Sequence, residues 1–525
     1  MSYQSTNRIY GNGRRPCRLD SLWDTQMTSL VATPASRRGA GTILALTLSF
    51  VLALTMHGYL SRPSLDRWGD MYENYAWGVL WQWGYFKHPP FFAWETAAWF
   101  ELFPRNNFNY FLLAGVNAGV ALLALWRIAA RFGGTGFQVL VLVLAMLMPP
   151  ISLQGLNFNA NSAMTPLWAL LFLFYLRGLE RGRMIDAVLI GLIAACAMLT
   201  KYHSAVMLGA LFIHALLDGA ARRLLFSKFG LVTVIAFALA FAPHLYWLID
   251  NDFRPISYAA HQDGDEGSSL ADSFHFLLTP IGYTALAVLV ARLMRDWRDW
   301  DPVLPLAGVR SLRNTVQGRA LIAFAVLPMP LTILLGYAAN AELSAVWGIP
   351  FYTAYAVILA LLVPERYYEP RQGRALIAGG LFMAILILVA PVWYRYERFN
   401  SGGGYYNAPL AAIGAEVDKR WIEAGGGEGG LLFGKINLSN AVSFYMPSRP
   451  ITLEGNSFDI ANGYLTLEQA RKRGLIGLCS QGDQACRAEV EATMPTTVKP
   501  SAFSLPGLVP DSTWAFDLWL APPQR

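Results

Sequence analysis

The chain has 525 residues, of which 54% are hydrophobic and only 14% are charged, with a formal net charge of +6. This composition is too apolar for an ordinary soluble protein, and it predicts a chain that uses lipid as solvent. Arginine and lysine placed in loops between apolar segments account for the positive charge, so no nucleic-acid surface is needed and no nucleic-acid partner is expected.

The amino-terminal 40 residues precede the first apolar run. They are polar and rich in Arg, Ser and Gly, which predicts a disordered cytoplasmic tail and not a cleaved signal peptide. Eleven apolar runs follow, most of them long enough to cross roughly 30 Å of hydrocarbon. The runs are 43–60, 108–126, 136–151, 163–176, 184–199, 205–217, 230–249, 274–292, 319–337, 345–363 and 375–394. The predicted fold class is an all-α polytopic membrane bundle over residues 41–395, with about eleven transmembrane helices.

Basic residues gather in every second loop. They precede the first run and follow the second, fourth, sixth, eighth and tenth runs. Because basic residues near helix ends resist translocation, these loops are predicted to be cytoplasmic. An odd number of spans then places residues 396–525 on the periplasmic side of the inner membrane.

The loop 61–107, after the first run, is longer than a connection requires and carries many aromatic residues. This composition is typical of helices that lie at the depth of the lipid headgroups. Proline disfavours helix both at itself and at the residue before it. We therefore predict two interfacial helices, 68–83 and 91–103, separated at His88-Pro89-Pro90.

The carboxy-terminal region 396–525 mixes helix and strand patterns. Helices are predicted over 408–423 and 466–473, and short strands over 430–434 and 449–453, which together indicate a small α/β domain. Cys479 and Cys486 lie close together in this region, and an oxidising periplasm favours a disulfide between them. Metal binding by this pair and two free thiols remain alternatives.

Three acids in the loop 61–107, Asp66, Asp70 and Glu73, are spaced four and three residues apart, which would place them on one helix face. We interpret Asp66 as an ion-paired or solvated carboxylate. Asp70 lies in an aromatic setting, and it is the candidate for chemistry.

Cationic residues near the headgroups could contact phosphate. Lys87 and His88 precede the double proline, and Lys201 follows the fifth run at the edge of the hydrocarbon. The alternative for each lysine is a simple anchor at the membrane surface.

Several segments together resemble a known family. GYFKHPPFFAW at 84–94 follows an early acid, and LNFNANSAMTPLW at 156–168, LTKYHS at 199–204 and PHLYWLIDNDFRPISYA at 243–259 continue the resemblance. The chain resembles the type C glycosyltransferases of families 39 and 83, which include protein O-mannosyltransferases, lipid A aminoarabinose transferases and rhizobial galacturonosyltransferases. The resemblance covers about residues 43–395.

The resemblance implies transfer of a sugar from a polyprenyl-phosphate donor to an envelope lipid or glycan, beside membrane lipids, at the outer face. It gives Asp70 the role of the first-loop catalytic acid, and it places His88 where related aminoarabinose transferases carry a phosphate-binding lysine, so that Lys87 would share or replace that contact. Independently of the resemblance, a phosphate leaving group requires a base for the acceptor hydroxyl, for which Asp70 is the candidate, and positive charge, for which Lys87, His88 and Lys201 are the candidates. The usual adjacent Asp-Glu pair is absent, since Met71 follows Asp70. Glu73 is the nearest glutamate and the second catalytic candidate. A single displacement predicts inversion at the anomeric carbon.

Five further residues are predicted to line the substrate cavity: Tyr85, Asn159, Tyr202, Arg254 and His261. Asparagines stand in the second outer loop, where relatives carry an acid. No cofactor is required by these residues, and a divalent metal ion remains an open alternative because amide oxygens coordinate more weakly than carboxylates.

Two other functions compete with the transferase. A transporter or flippase of lipid-linked sugars would share the bundle, but it predicts ionisable groups deep in the spans, whereas the spans here are almost free of charge. A non-catalytic assembly factor would use residues 396–525 as its binding part.

Overall fold

The structure is a computed structural model that describes residues 37–261, 269–296, 306–400, 404–453 and 465–523. Most of the predicted tail 1–40 lies outside these ranges. Helix already begins at Arg37, a few residues before the predicted end of the tail.

All eleven apolar runs coincide with helices. The membrane part contains α1 (Arg37–Ser61), α4 (Asn107–Ala129), α5 (Thr135–Met146), α6 (Ala160–Arg181), α7 (Met184–Thr200), α8 (Ala205–Leu217), α9 (Gly219–Leu225), α10 (Lys228–Asp250), α11 (Arg254–His261), α12 (Leu270–Leu293), α13 (Ala307–Ser311), α14 (Val316–Val326), α15 (Pro328–Ala339), α16 (Tyr352–Leu361) and α17 (Gln372–Asn400). Short 3₁₀ turns at Tyr202–Ser204 and Ala345–Phe351 lead into α8 and α16.

The described helices make the chain a multi-pass membrane protein. Seven segments are long and apolar enough to span, α14 and α15 counting as one, and α8 and α9 form one further pair bent by 112°. Three apolar helices are shorter, namely α5, α7 and the Ala345–Leu361 segment. These segments are compatible with eleven crossings, and that count stays a prediction.

Burial orders the helices from the centre of the bundle outwards. In α6 the apolar window is 78% buried against other parts of the protein, whereas in α10 it is 11% buried. Apolar side chains on an outer helix are stable where hydrocarbon is the solvent. The amino terminus of α6 thus belongs to the centre of the bundle, where it meets the loop 61–107.

The loop 61–107 contains α2 (Asp70–Gly78) and α3 (Phe91–Leu102). The two helices touch at Gly78, where an added Cβ would lie 2.2 Å from the carbonyl oxygen of Ala93. The predicted helix 91–103 is confirmed, whereas the predicted helix 68–83 is shorter at both ends. Its segment after Gly78 turns back, and the Tyr85 N–H donates to the His88 carbonyl oxygen at 3.0 Å.

The carboxy-terminal region is a five-stranded mixed sheet with helices. Its elements are α18 (Leu410–Glu423), β1 (Leu431–Gly434), α19 (Ile436–Tyr445), β2 (Ile451–Thr452), α20 (Leu467–Arg473), β3 (Leu475–Ser480), α21 (Gln484–Thr493), β4 (Ser501–Pro506) and β5 (Thr513–Ala521). The strand order is β2-β1-β3-β5-β4, with parallel pairs in the first half and antiparallel pairs in the second. The predicted domain boundary at residue 395 falls inside α17.

A disulfide joins Cys479 on β3 to Cys486 on α21. It links the central strand of the sheet to the helix that covers it, and both side chains are buried. The pairing therefore fastens α21 to the core of the domain.

The sheet domain packs directly on the loop 61–107. The Phe444 ring of α19 lies 5.1 Å from the Tyr75 ring and 5.2 Å from the Phe100 ring, and the Tyr72 and Tyr445 hydroxyls are 3.0 Å apart. Aromatic clusters of this kind bury large apolar areas. The domain thus fixes α2 from the side away from the bundle.

Candidate active site

The start of α2 is set by Asp66. Its carboxylate accepts the backbone N–H groups of Gly69, Asp70 (3.1 Å) and Met71 (2.6 Å), which would otherwise lack partners. Gly69, with φ of 87°, makes the turn that directs these N–H groups towards the Asp66 carboxylate. The sequence-based placement of Asp66 on the same helix face as Asp70 is therefore wrong, as is its assignment to solvent. Burial, and next the charge of Asp70, raise the pKa of Asp66 to about 6.

Asp70 lies where two helices begin. It is the first residue of α2, and its Oδ2 accepts the side-chain amide of Asn159 at 3.0 Å. Asn159 is itself the residue that caps α6, through a reciprocal pair of bonds with Ser162. Helix amino termini carry partial positive charge, so both helices stabilise an ionised carboxylate at this point. Asn159 therefore holds the Asp70 carboxylate, and its side chain is half-buried.

Lys201 contributes a cation beside Asp70. It follows the end of α7, its Nζ donates to Asn161 Oδ1 at 2.7 Å, and it lies 5.4 Å from the Trp347 ring. Burial lowers the pKa of Lys201 to about 8, while the negative charge of Asp70 acts in the opposite direction. Lys201 is thus a partly desolvated ammonium group whose described hydrogen-bond partner is the neutral amide oxygen of Asn161.

Lys87 and Glu73 form an ion pair, with 2.8 Å between Nζ and Oε1. Burial raises the pKa of Glu73 to about 7, although Lys87 opposes that rise. Burial alone would lower the pKa of Lys87, but Glu73 outweighs it and the net shift is upward. Glu73 is accordingly the partner of Lys87 in this structure, which makes it a poor second catalytic group.

His88 lies between the two lysines and a wall of aromatic rings. Its ring is 6.2 Å from that of Trp77 and 5.8 Å from that of Phe92. Burial, followed by the charges of Lys201 and Lys87, lowers the pKa of His88 to about 3. At neutral pH the ring is therefore uncharged, and it can offer a phosphate oxygen an N–H donor but no positive charge.

The other predicted cavity residues have different environments. Tyr85 is fully buried, stacks on Trp77 at 5.1 Å and donates its hydroxyl to the Trp77 carbonyl at 2.7 Å. Tyr85 is a core residue, so its prediction as a cavity residue is not retained. The Tyr202 hydroxyl bonds His244 Nε2 at 2.8 Å, which ties the turn before α8 to α10.

Arg254 begins α11 and is half-buried. The His261 side chain lies outside the part of the chain that the structure describes.

Sequence analysis missed three neighbours of the site. Asn161 holds Lys201, Trp347 lies under the same ammonium group, and the Tyr258 ring is 5.9 Å from Lys87 Nζ. Asn161 and Tyr258 lie within motifs that carried the family resemblance, so they could have been found there. Trp347 lies outside those motifs and is brought in only by the tertiary fold.

The residues around Asp70 do not suit a divalent metal ion. Asp70 Oδ2 faces an amide donor, Asn161 Oδ1 faces an ammonium group, and Glu73 faces Lys87. Among the described residues, no three His, Cys, Asp or Glu side chains come together as a metal site. Each of these three side chains thus has an oxygen atom already paired with a donor, which disfavours their use as metal ligands.

Comparison with protein families and curated proteins gives a consistent result. The family model of dolichyl-phosphate-mannose-protein mannosyltransferase matches residues 87–247, a range that contains Lys87, His88 and Lys201. The chain is 25% identical over 333 residues to lipid A galacturonosyltransferase RgtD of Rhizobium johnstonii, which is 62% of this chain and 66% of the relative. It is 25% identical over 221 residues to lipopolysaccharide core galacturonosyltransferase RgtB of the same organism, 39% of this chain and 42% of the relative. The matches thus span less than two thirds of these relatives.

Among solved structures, the fold is similar to that of ArnT from Cupriavidus metallidurans. The form bound to undecaprenyl phosphate aligns with a TM-score of 0.60 at 12% identity, over 93% of this chain and 100% of that chain. The apo form aligns with a TM-score of 0.59 at 14% identity, over 92% and 100% of the two chains. At this identity the likeness concerns the fold, and it extends through the sheet domain.

Proposed function

We propose that the chain, which is similar to type C glycosyltransferases of families 39 and 83, moves a sugar from a polyprenyl-phosphate donor to an envelope acceptor. The acceptor is a lipid or glycan at the periplasmic face of the inner membrane. The amino terminus is cytoplasmic and the sheet domain is periplasmic in this proposal, as the distribution of arginine and lysine predicts.

One observation supports this proposal above the others. A carboxylate, Asp70, is held at the meeting point of two helix amino termini, with the ammonium group of Lys201 in its electrostatic neighbourhood. A base and a cation side by side are what a transfer from a phosphate leaving group needs. Burial of the cluster strengthens both interactions because the local dielectric constant is low.

The proposed reaction is a single displacement. The acceptor hydroxyl attacks the anomeric carbon and gives its proton to Asp70. The bond between that carbon and the phosphate oxygen breaks, and its electron pair leaves with the polyprenyl phosphate. Lys201 stabilises the growing negative charge, with Lys87 and an N–H of His88 beside it. The anomeric configuration inverts, and no step is routed through a metal.

The two relatives suggest the first substrates to test. They are named for transfer of galacturonic acid to lipid A and to the lipopolysaccharide core, and the ArnT structure contains undecaprenyl phosphate. A hexuronic acid on undecaprenyl phosphate, with lipid A as acceptor, is therefore the lead pair. Hexose and aminoarabinose donors complete the comparison.

The experiment compares membranes that contain the wild type, Asp70→Asn or Asp511→Asn, at equal expression, with radiolabelled undecaprenyl-phosphate sugars and lipid A. Asp511 lies in the exposed turn before β5, so this control makes the same chemical change away from the site. Removal of a general base should lower transfer by about 10²–10⁴-fold in Asp70→Asn alone.

Full activity in Asp70→Asn would remove Asp70 from the mechanism. No transfer from any donor by the wild type, together with uptake of a labelled lipid-linked sugar across sealed vesicles, would favour a transporter. Retained anomeric configuration in the product would exclude the single displacement.

A further inference from the structure

A cavity outside the active-site cluster has Asp66 among its lining residues. Its volume is about 420 Å³, which is within the size range of small-ligand sites. The walls come from the ends of α1 and α17, the segment just after α1, and Tyr406 in the linker to the sheet domain. We call it the Arg62 cavity, after the cation at its polar end.

The charged side chains at the polar end of the cavity differ in whether an oppositely charged partner is bound to them. Arg67 bonds Glu397 at 2.7 Å, and the Asp66 carboxylate is taken up by the start of α2. Arg62 donates to Asn157 Oδ1 at 2.6 Å and to the Leu65 carbonyl at 3.0 Å, and within the described ranges it has no carboxylate within ion-pair distance. Arg62 is half-buried, so its charge has lost part of its water. A half-buried guanidinium group that is bonded only to neutral oxygens favours an anion beside it.

The part of the wall that α17 provides is mainly apolar. Ile385, Val389 and Trp393 of α17 line the cavity, and each of them is also exposed on the outside of the bundle. Successive turns of one helix therefore lead from the hydrocarbon region to the two arginines. A cavity with a cationic end and an apolar wall open to lipid matches the shape of an anionic amphiphile.

The Arg62 cavity adjoins residues that hold the candidate base. Asp66 lines the cavity and accepts the backbone N–H of Asp70, and Asn157 is two residues before the Asn159 that holds the Asp70 side chain. Lys201 and Lys87 do not line it. The residues that connect the cavity to Asp70 therefore differ from the lysines near Asp70.

From this arrangement, and resting on the proposed function, we propose that the Arg62 cavity holds the lipid acceptor. The acceptor's anionic headgroup contacts Arg62 and Arg67, and its acyl chain lies along α17. The hydroxyl to be glycosylated then approaches Asp70 from the side of Asp66, opposite the donor phosphate. The linker to the sheet domain takes part, because Tyr406 is one of the residues that line the cavity.

The test measures binding of two probes, fluorescent lipid A and undecaprenyl phosphate, to the purified full-length protein. Arg62→Gln removes the charge, and Arg62→Lys keeps it without the planar fork. Ile385→Trp fills the apolar wall at an exposed position, where folding tolerates the change. The control is Arg449→Gln, a half-exposed arginine paired with Glu101 outside the cavity.

We expect Arg62→Gln and Ile385→Trp to raise the Kd for lipid A about tenfold, equal to about 1.4 kcal/mol. Arg62→Lys should lie between Arg62→Gln and the wild type. The Kd for undecaprenyl phosphate should stay at the wild-type value in all variants, and Arg449→Gln should leave both values unchanged. If Arg62→Gln does not fold, the two Kd values of Ile385→Trp test the proposal on their own.

Unchanged lipid A binding in the two cavity variants would overturn the proposal, and so would equal loss of both probes. Displacement of lipid A by millimolar inorganic phosphate would show a site for the headgroup alone and would also overturn it. If the expected binding pattern appears but the wild type transfers no sugar, the transferase proposal fails while the amphiphile site stands.

Discussion

The loop 61–107 and the sheet domain both carry charged residues, but they place them differently. In the loop, Asp66 is buried and the Glu73 and Lys87 side chains are only 15% and 26% exposed. In the domain, the Glu468–Lys472 pair has the same 2.8 Å separation, but its side chains are 79% and 73% exposed. The two ion pairs therefore have the same separation, although one is largely buried and the other is exposed to water.

The difference indicates which charges we expect to serve the proposed function. An exposed pair contributes little to stability, because water screens it and two long side chains must be ordered. A buried charge costs several kcal/mol of desolvation unless its partners are well placed. The loop retains such charges around Asp70, and the domain keeps its charges in water while providing an apolar face for α2.

The largest effect we expect in this comparison comes from Lys201. Lys201→Gln removes the cation next to Asp70, so the growing phosphate charge loses one stabilising partner, and kcat/KM for sugar transfer should fall about 10²-fold. Lys499→Gln, at an exposed position in the domain, is the matched control and should keep full activity. Equal activity of the two variants in the undecaprenyl-phosphate sugar assay would show that burial does not mark function here.

The next effect is on pH dependence. Lys201 is cationic below its pKa of about 8 and neutral above it. The kcat/KM of the wild type should therefore fall as pH rises through about 8, by about tenfold for each further unit, because kcat/KM reports groups of the free enzyme. Lys201→Arg keeps the charge at all these pH values and should move the alkaline limb upward. If the alkaline limb of the Lys201→Arg profile stays at the wild-type pH, the limb reports the titration of another group.

The smallest effect concerns the two ion pairs themselves. A double-mutant cycle of Glu73→Gln and Lys87→Gln, followed by unfolding in detergent, should give a coupling free energy of about 1–2 kcal/mol. Lys87→Gln alone should destabilise more than the double variant, since it leaves a buried carboxylate unpaired. The same cycle on Glu468 and Lys472 should show no measurable coupling. Similar coupling in both cycles would mean that the loop pair is as hydrated as the domain pair.

The sequence predicted the membrane part well because the relevant signal is local. A run such as 163–176 is apolar over its whole length, and the helix there, Ala160–Arg181, extends past it only by polar ends. The start of α2 could not be found in this way. Its cap comes from Asp66, three residues before the turn at Gly69, so the acid that looked like part of the helix precedes it.

The candidate site was predicted in part. Family motifs pointed to Asp70, Lys87 and Lys201, which the structure brings together in one electrostatic neighbourhood. Tyr85 was misplaced because its environment depends on stacking with Trp77, which no spacing rule contains. Arg62 gave no signal as a binding residue, since its partner Asn157 lies 95 residues further along the chain.

The contact between Tyr72 and Tyr445 has a consequence for biosynthesis. These residues are 373 positions apart, and Arg67 meets Glu397 across 330 positions. Chains emerge from the ribosome amino terminus first, and contacts of long sequence separation form late. In the proposed orientation the loop 61–107 crosses the membrane early in synthesis, yet α2 has its full set of neighbours only after the sheet domain has been made. A stop codon near residue 400 would thus leave the membrane helices in place and the segment around Asp70 unfinished.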